Sequence, residues 1–205
     1  MAEFEQTMYE FWREVNPVPY HYDESYEAKQ QTTRAMVMLR LGWLLSNLPK
    51  NEDVRSFRCV DIGGGTGIFT HIAKNVFKEC FSYDIVPETS QISTEALRGT
   101  DWDVAFSFDS LEHYDDINDL FKVSARYHYV SFPETPEAAH YEELQNWRHY
   151  KPGEHLWCLH RLGVCEWLED KGYQILAASN IEDAIRTPWD KDKPNITSIL
   201  ARRAR

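Results

Sequence analysis

Apolar residues recur at helical spacing in the opening segment EFEQTMYEFWREV (3–15), where Phe4, Met8, Phe11, Trp12 and Val15 share one face and predict a helix. The two prolines of NPVPYHYDE end that pattern. A second, longer helix is expected from about Ser25 to Leu48, with Met36, Leu39, Trp43 and Leu44 as its stripe. Beyond a polar loop the period shortens. FRCVDI (57–62) reads as a buried strand, IFTHIAKNVF (68–77) as a helix and CFSYDI (80–85) as a strand. WDVAFSFDSL (102–111) contains a further strand, DDINDLFKVS a helix and YHYVSF (127–132) another strand. RLGVCEWLEDKG (161–172) is an amphipathic helix closed by Gly172, and YQILAAS and ITSILARR are two late strands.

Strands alternating with helices predict a mostly parallel sheet covered on both faces, in one domain. One unit is short. About eighteen residues separate Asp84 from the strand beginning near Asp103, too few for a full helix, strand and connections. Either the unit is abridged, or TSQIST forms a minimal strand with almost no helix before it.

The first strand-to-helix turn of such a sheet is the usual ligand site. Here it reads CVDIGGGTGIFTHIAKN (59–75), with Gly63, Gly64, Gly65 and Gly67 crowded into five positions. Such glycines allow a tight turn and close approach of a ligand to the backbone. Asp84 ends the next strand, about twenty residues on, where a carboxylate can accept from ribose hydroxyls and disfavours a 2′-phosphate. The dinucleotide spacing G-x-G-x-x-G fails in both registers, at Ile68 and at Thr70, and no Gly-Lys-Ser/Thr follows. The G-x-G-x-G that stands here fits an adenosyl ligand without phosphates better.

These features resemble the class I S-adenosylmethionine-dependent methyltransferases over most of residues 57–203. VDIGGGTG is similar to their first motif and YDI to the second. WDVAFSFDSLEHYDD resembles the fourth, with the LEH common in enzymes acting on small molecules, and YHYVSFPE resembles the fifth. PGEHLWCLHRLGVCEWLEDKGYQIL is similar to the region leading through the late helix. The resemblance implies a Rossmann-like α/β fold closed by an antiparallel hairpin, in the order 3-2-1-4-5-7-6, with S-adenosyl-L-methionine as cofactor. It implies that the Gly63–Gly67 backbone lies beside the methionine part and the sugar, that Asp84 holds the ribose and that Ile85 packs on the adenine. Asp109 and Ser110 would approach the amino group or the sulfonium, and Asp61 would fix the loop or reach that amino group through water. Ser93, Thr94 and Glu95 are the candidates for the adenine side of the shortened segment 85–101.

Residues 1–50 are expected to form a helical extension or lid on a core of 51–205, with Tyr20, His21 and Tyr22 in its break. The stretch 134–160 is longer than a connection needs, and is an insertion suited to an acceptor lid. It carries His140, His149, His155 and His160 among Tyr141, Trp147, Tyr150 and Trp157, with Arg148 and Lys151 to attract an anionic acceptor. The alternative is a surface helix packed through its aromatics. A neutral histidine suits proton removal near pH 7, and His113, preceded by Glu112, stands where an acceptor would sit. Alternatively the pair caps the next helix. Cys158, His160 and Cys165, with His155 near, show no recognised zinc spacing, and a divalent ion on Asp109, Glu112 and His113 has no better support, so no metal is expected.

A formal net charge of -11 disfavours nucleic acid as a partner, since phosphate binding rests on basic surfaces. No segment reaches the length of a membrane span, and nothing in MAEFEQTMYE directs the chain out of the cytoplasm. The four cysteines form no CxxC pair and are expected to be reduced thiols. The leading expectation is methyl transfer to a small-molecule acceptor. The alternatives are a non-catalytic or partner-dependent protein of the same fold and an NAD-linked oxidoreductase.

Overall fold

Nine strands form two sheets in the computed structural model, which describes residues 3–18, 20, 33–86, 88–135, 141–186 and 195–204. The strands are β1 (Glu3–Gln6), β2 (Trp12–Val15), β3 (Arg58–Ile62), β4 (Glu79–Tyr83), β5 (Trp102–Phe108), β6 (Ala125–Pro133), β7 (Trp157–Cys158), β8 (Tyr173–Ser179) and β9 (Ile196–Arg203). The helices are α1 (Arg34–Asn47), α2 (Ile68–Ala73), α3 (Thr94–Gly99), α4 (Tyr141–Leu144) and α5 (Arg161–Asp170).

The central sheet runs β4-β3-β5-β6-β9-β8. The first four strands are parallel, and β9 lies antiparallel to both β6 and β8. Alternate residues feed opposite faces, as the pleat requires. Cys59, Val104, Phe106, Phe108, Tyr127 and Tyr129 pack beneath α1 and α2. Val60, Ile62, Ala105, Val130 and Phe132 pack on the other face with Val164, Trp167 and Leu168 of α5. Both faces are dry, so these strands read as apolar runs in the sequence.

The sheet corresponds to the expected order without its outermost strand. Among the described residues none between Asp84 and Trp102 is a strand, so the minimal strand at TSQIST is not formed; α3 occupies this segment instead. The physical substitute is the pair Ser90 and Gln91. The Gln91 amide donates to the Ser82 carbonyl at 2.8 Å, and the Ser82 amide donates to Gln91 Oε1 at 3.3 Å. Ser90 Oγ likewise accepts from the Asp84 amide at 2.7 Å. The loop thus pairs with the β4 edge, which would otherwise be exposed.

The opening helix is a correction. Residues 3–15 form a hairpin of β1 and β2 around a turn at Met8–Glu10, and β2 pairs onward with β7. Phe4 and Phe11 are buried, whereas Met8, which the helical stripe would bury, is 75% exposed. Two positive-φ residues, Tyr9 and Glu10, make the turn. The N-terminal extension is therefore a hairpin followed by α1 rather than two helices. The expected start of the second helix, 25–32, lies outside the described residues, as do His21, Tyr22 and His140. The helix expected at DDINDLFKVS is a 3-10 segment, Ile117–Lys122, and the one expected over 68–77 is the shorter α2.

The second sheet joins the N-terminal hairpin to the insertion 134–160 through β7. The Glu14 carboxylate strengthens this union, accepting from the Gly153 amide at 2.8 Å and from the Tyr150 hydroxyl at 3.3 Å. The hairpin also docks closely on α5. A Cβ on Gly163 would stand 2.4 Å from the Tyr9 carbonyl oxygen and 2.7 Å from a ring carbon of Phe11. Gly163→Ala should therefore lower the unfolding free energy by about 1–3 kcal/mol, read as a lower midpoint in urea. An unchanged midpoint would mean the hairpin does not rest on α5.

Candidate active site

The glycine loop joins β3 to α2 at the carboxyl end of the sheet. The Gly63 and Gly64 amides donate to the Tyr83 carbonyl at 2.8 and 3.2 Å, holding the loop against β4. The glycines serve different constraints. A Cβ on Gly63 would lie 2.6 Å from Ser110 Cβ, and one on Gly64 would lie 2.3 Å from Ser82 Oγ. These two are small because neighbouring strands press on them. Gly63, Gly65 and Gly67 all adopt positive φ, and Gly67 starts α2. Asp84 ties the loop to the next strand: Oδ2 accepts from the Gly65 amide at 2.9 Å and Oδ1 from the Val86 amide at 3.1 Å.

Two cavities open on this loop. The first, about 710 Å³, is lined by Gly63, Gly65, Asp84, Ile85, Thr94 and Leu97, and also by Ser110 and His113. Its volume and mixed lining suit a small organic cofactor. Ile85 is 75% exposed, an apolar side chain with its face open at the mouth. Of the three candidates for the adenine side, Thr94 lines the cavity, while Ser93 caps α3 by accepting from the Ala96 amide. The second cavity, about 1300 Å³, is lined by Arg40, Asp61, Gly64, Glu112 and His155, with Arg148 and Lys151 at its basic side. Gly63, Thr66, Asp109 and His113 line both. They are the shared wall.

Asp109, at φ 49°, turns the chain at the end of β5. Its Oδ2 accepts from Arg40 Nη2 at 2.9 Å and from Arg186 Nη2 at 2.7 Å. Arg40 is buried and also donates from Nε and Nη2 to the two Glu182 oxygens, at 2.7 and 3.0 Å. Arg186 reaches Glu182 Oε2 as well. Burial alone would push the Asp109 carboxyl up, but Arg186 and Arg40 beside it hold it below the usual range. Sequence reasoning missed Arg40, Glu182 and Arg186. The available signal was a lone arginine inside the apolar run AMVMLRLGWLL of α1.

Ser110 is buried, shares a hydrogen bond of 2.7 Å with Ser107 and donates to the Ile62 carbonyl at 3.0 Å. Its hydroxyl thereby holds the end of β5 against β3. Asp61 is 3% exposed; burial pushes its carboxyl up to about 7, against the pull of Arg40 and with a small push from Asp84.

Glu112 and His113 form a 3-10 turn, and the cap of the next segment is Asp116, which accepts from the Asn118 amide. Capping therefore does not account for the pair. Burial, with Asp109 nearby, raises the Glu112 carboxyl well above its usual range. Burial lowers both His113 and His155, the latter to about 2. His155, from the insertion, lies against His113 with ring centroids 4.7 Å apart. His149 bonds Asn195 Oδ1 at 2.6 Å. His160 is structural: Nδ1 accepts from the Gly163 amide at the start of α5, while Nε2 meets the Tyr9 carbonyl. Cys158 is buried in β7 and Cys165 half-buried on α5.

Two outcomes follow from these charges. Arg40→Met should cost about 3–5 kcal/mol of stability in denaturant unfolding, because it strips one cation from a buried cluster. For Asp61, the folded protein keeps a proton between pH about 4 and about 7 that the unfolded chain releases. Stability should therefore fall as pH rises through that window, by about 1.4 kcal/mol per pH unit from this group. Denaturation of Asp61→Asn across the same window should lack that contribution; parallel pH profiles would refute it.

The methyltransferase-domain family matches residues 28–178. Among solved structures, an S-adenosylmethionine-dependent methyltransferase from Mesorhizobium loti is similar at TM-score 0.56 and 17% identity, covering 80% of this chain and 98% of that one. A chain of the complex between the Haloferax volcanii Trm112 methyltransferase activator and a methyltransferase gives TM-score 0.61 at 13% identity, over 91% and 100%. Magnesium protoporphyrin IX methyltransferase from Synechocystis PCC 6803, with bound SAH, gives 0.55 at 14%, over 91% and 90%. At these identities the structures attest the fold alone. No curated protein sequence matches significantly. No helix among the described residues is long and apolar enough to cross a membrane. The family match sets the NAD-linked oxidoreductase aside, and with the sheet order and the glycine–acid loop it identifies the chain as a member of the methyltransferase-domain family, a class I S-adenosylmethionine-dependent methyltransferase.

Proposed function

We propose that the protein methylates a small-molecule acceptor held in the second cavity, with the cofactor in the first. The observation that supports this reading is the wall of Gly63, Thr66, Asp109 and His113 common to both. A methyl group crossing it travels a short, enclosed path, as in-line displacement requires.

The bound sulfonium supplies an electrophilic methyl group and departs as a neutral thioether. The protein's own residues do the rest. The Gly63–Gly67 backbone lies along the methionine part and the sugar, and Asp84, already fixed by two amides, offers its remaining lone pairs to the ribose hydroxyls. Ile85 covers the adenine face, which accounts for its exposure here. Asp109, on the wall common to both cavities, gives the donor site its negative side, with Ser110 shaping the loop behind it and Asp61 bordering the second cavity. Glu112 and His113 face the acceptor; a neutral imidazole there can take its proton or orient its nucleophilic atom. Arg148 and Lys151 at the basic side suit an acceptor carrying negative charge.

A partner-dependent reading has one observation in its favour, the similarity to a chain from the complex with the Trm112 activator. It differs in expecting the isolated chain to bind cofactor weakly or not at all.

Calorimetric titration with S-adenosylhomocysteine tests the main reading. The intact protein should bind one equivalent, and Asp84→Ala should weaken binding tenfold or more, about 1.4 kcal/mol. Methyl transfer from labelled cofactor to anionic small molecules should then be lost on His113→Ala. Absence of binding by the isolated protein would overturn it in favour of the partner-dependent form.

A further inference from the structure

We propose that Glu112, His113 and His155 form a binding site for one divalent transition-metal cation where the two cavities meet. The residues come from separate segments: the Leu111–His113 turn after β5 and the turn just before β7. The Leu156 amide donates to the Glu112 carbonyl at 2.8 Å and so locks the neighbouring His155 beside the pair. One carboxylate oxygen and two imidazole nitrogens lie within 4.8 Å of one another.

The arrangement is not a hydrogen-bonded cluster. Glu112 Oε1 stands 3.9 Å from His113 Nε2, beyond hydrogen-bond length. Glu112 Oε2 and His155 Nδ1 are buried without a hydrogen-bond partner among the described residues. Glu112 is only 2% and His155 4% exposed. Buried polar atoms are almost always paired, so two orphaned lone-pair donors beside a third polar group need an explanation. A cation accepting lone pairs from all three supplies one.

The surrounding charges leave that role open. Arg186 and Arg40 are committed to Asp109 and Glu182, and Lys151 Nζ bonds Glu154 Oε1 at 2.9 Å. Glu112 receives none of these cations at bonding distance. The His113 imidazole is also steadied by a hydrogen bond with the Glu154 backbone, the kind of support that orients metal-ligating histidines.

The donor set selects the metal class. Two imidazoles and one carboxylate favour zinc, cobalt, iron or copper over magnesium and calcium, which take oxygen ligands. Bonds of about 2.0–2.2 Å require modest side-chain rotation inward from the present spacing. Further coordination positions would face the second cavity. What they do there rests on that cavity being the acceptor site: an acceptor oxygen or nitrogen would bind the cation, whose charge, rather than the His113 lone pair, would make the atom easier to deprotonate. The cation site itself does not depend on that reading.

The test loads chelator-stripped protein with cobalt(II), followed by calorimetry and visible absorption, with S-adenosylhomocysteine titrated in parallel. One equivalent should bind at micromolar affinity or tighter. His155→Asn and Glu112→Gln should each weaken it by about tenfold or more while the protein still binds S-adenosylhomocysteine. Should either variant fail to fold, electron paramagnetic resonance of copper(II)-loaded wild-type protein decides instead: coupling to two imidazole nitrogens supports the site, and its absence overturns it. No stoichiometric cobalt binding, or binding indifferent to both folded variants, would also overturn the site. Cobalt bound without S-adenosylhomocysteine would keep this inference and turn the proposed function to its partner-dependent form; S-adenosylhomocysteine bound without cobalt would overturn this inference alone.

Discussion

A cluster of two guanidinium groups and two carboxylates, with Arg40 and Glu182 buried and Asp109 and Arg186 half-buried, organises the carboxyl end of the central sheet. Arg40 enters from α1, Glu182 and Arg186 from the segment after β8, and Asp109 from the tip of β5. Charges removed from water are tolerable only when each is matched, and here the formal charges sum to zero. Arg40 also lies over the Phe108 ring at 4.2 Å. The consequence is geometric. Asp109 sits at a positive φ that a non-glycine residue rarely adopts, and two arginines hold it there. That bend sends Ser110, Glu112 and His113 across the end of the sheet, between the two cavities.

The two cavities differ in how they are built. The first is local: β3, the glycine loop, β4 and Asp84 are nearly consecutive, and their hydrogen bonds run from one to the next. The second is assembled from distant parts, with α1, the β5 tip and the insertion each contributing side chains.

The same difference explains what could be read beforehand. Apolar runs mark the strands, and β8 and β9 fall where YQILAAS and ITSILARR place them, β9 buried and the edge strand β8 only partly. The glycine loop and Asp84 were legible because their spacing is fixed by one turn and one strand. The opening hairpin was not. Phe4, Met8, Phe11, Trp12 and Val15 satisfy a helical period, yet the segment's fate is decided by pairing with Trp157 and Cys158, which no local pattern discloses. The pairing of Arg40 with Glu182, and of His155 with His113, was hidden for the same reason. Shortening near Asp84 was visible, but not that Gln91 would cover the strand edge in place of a strand.

The small sheet carries a consequence for how the molecule is made. Its middle strand, β2, precedes its partner β7 by about 145 positions. Contacts between such distant positions close slowly, since a long loop must be organised first. On the ribosome the hairpin must therefore wait, one edge unpaired, until most of the parallel sheet is already in place. The glycine loop and Asp84 can take shape early and from neighbouring residues. The second cavity closes last, since Arg186 and Ile196, which line it, follow even the segment bearing His155.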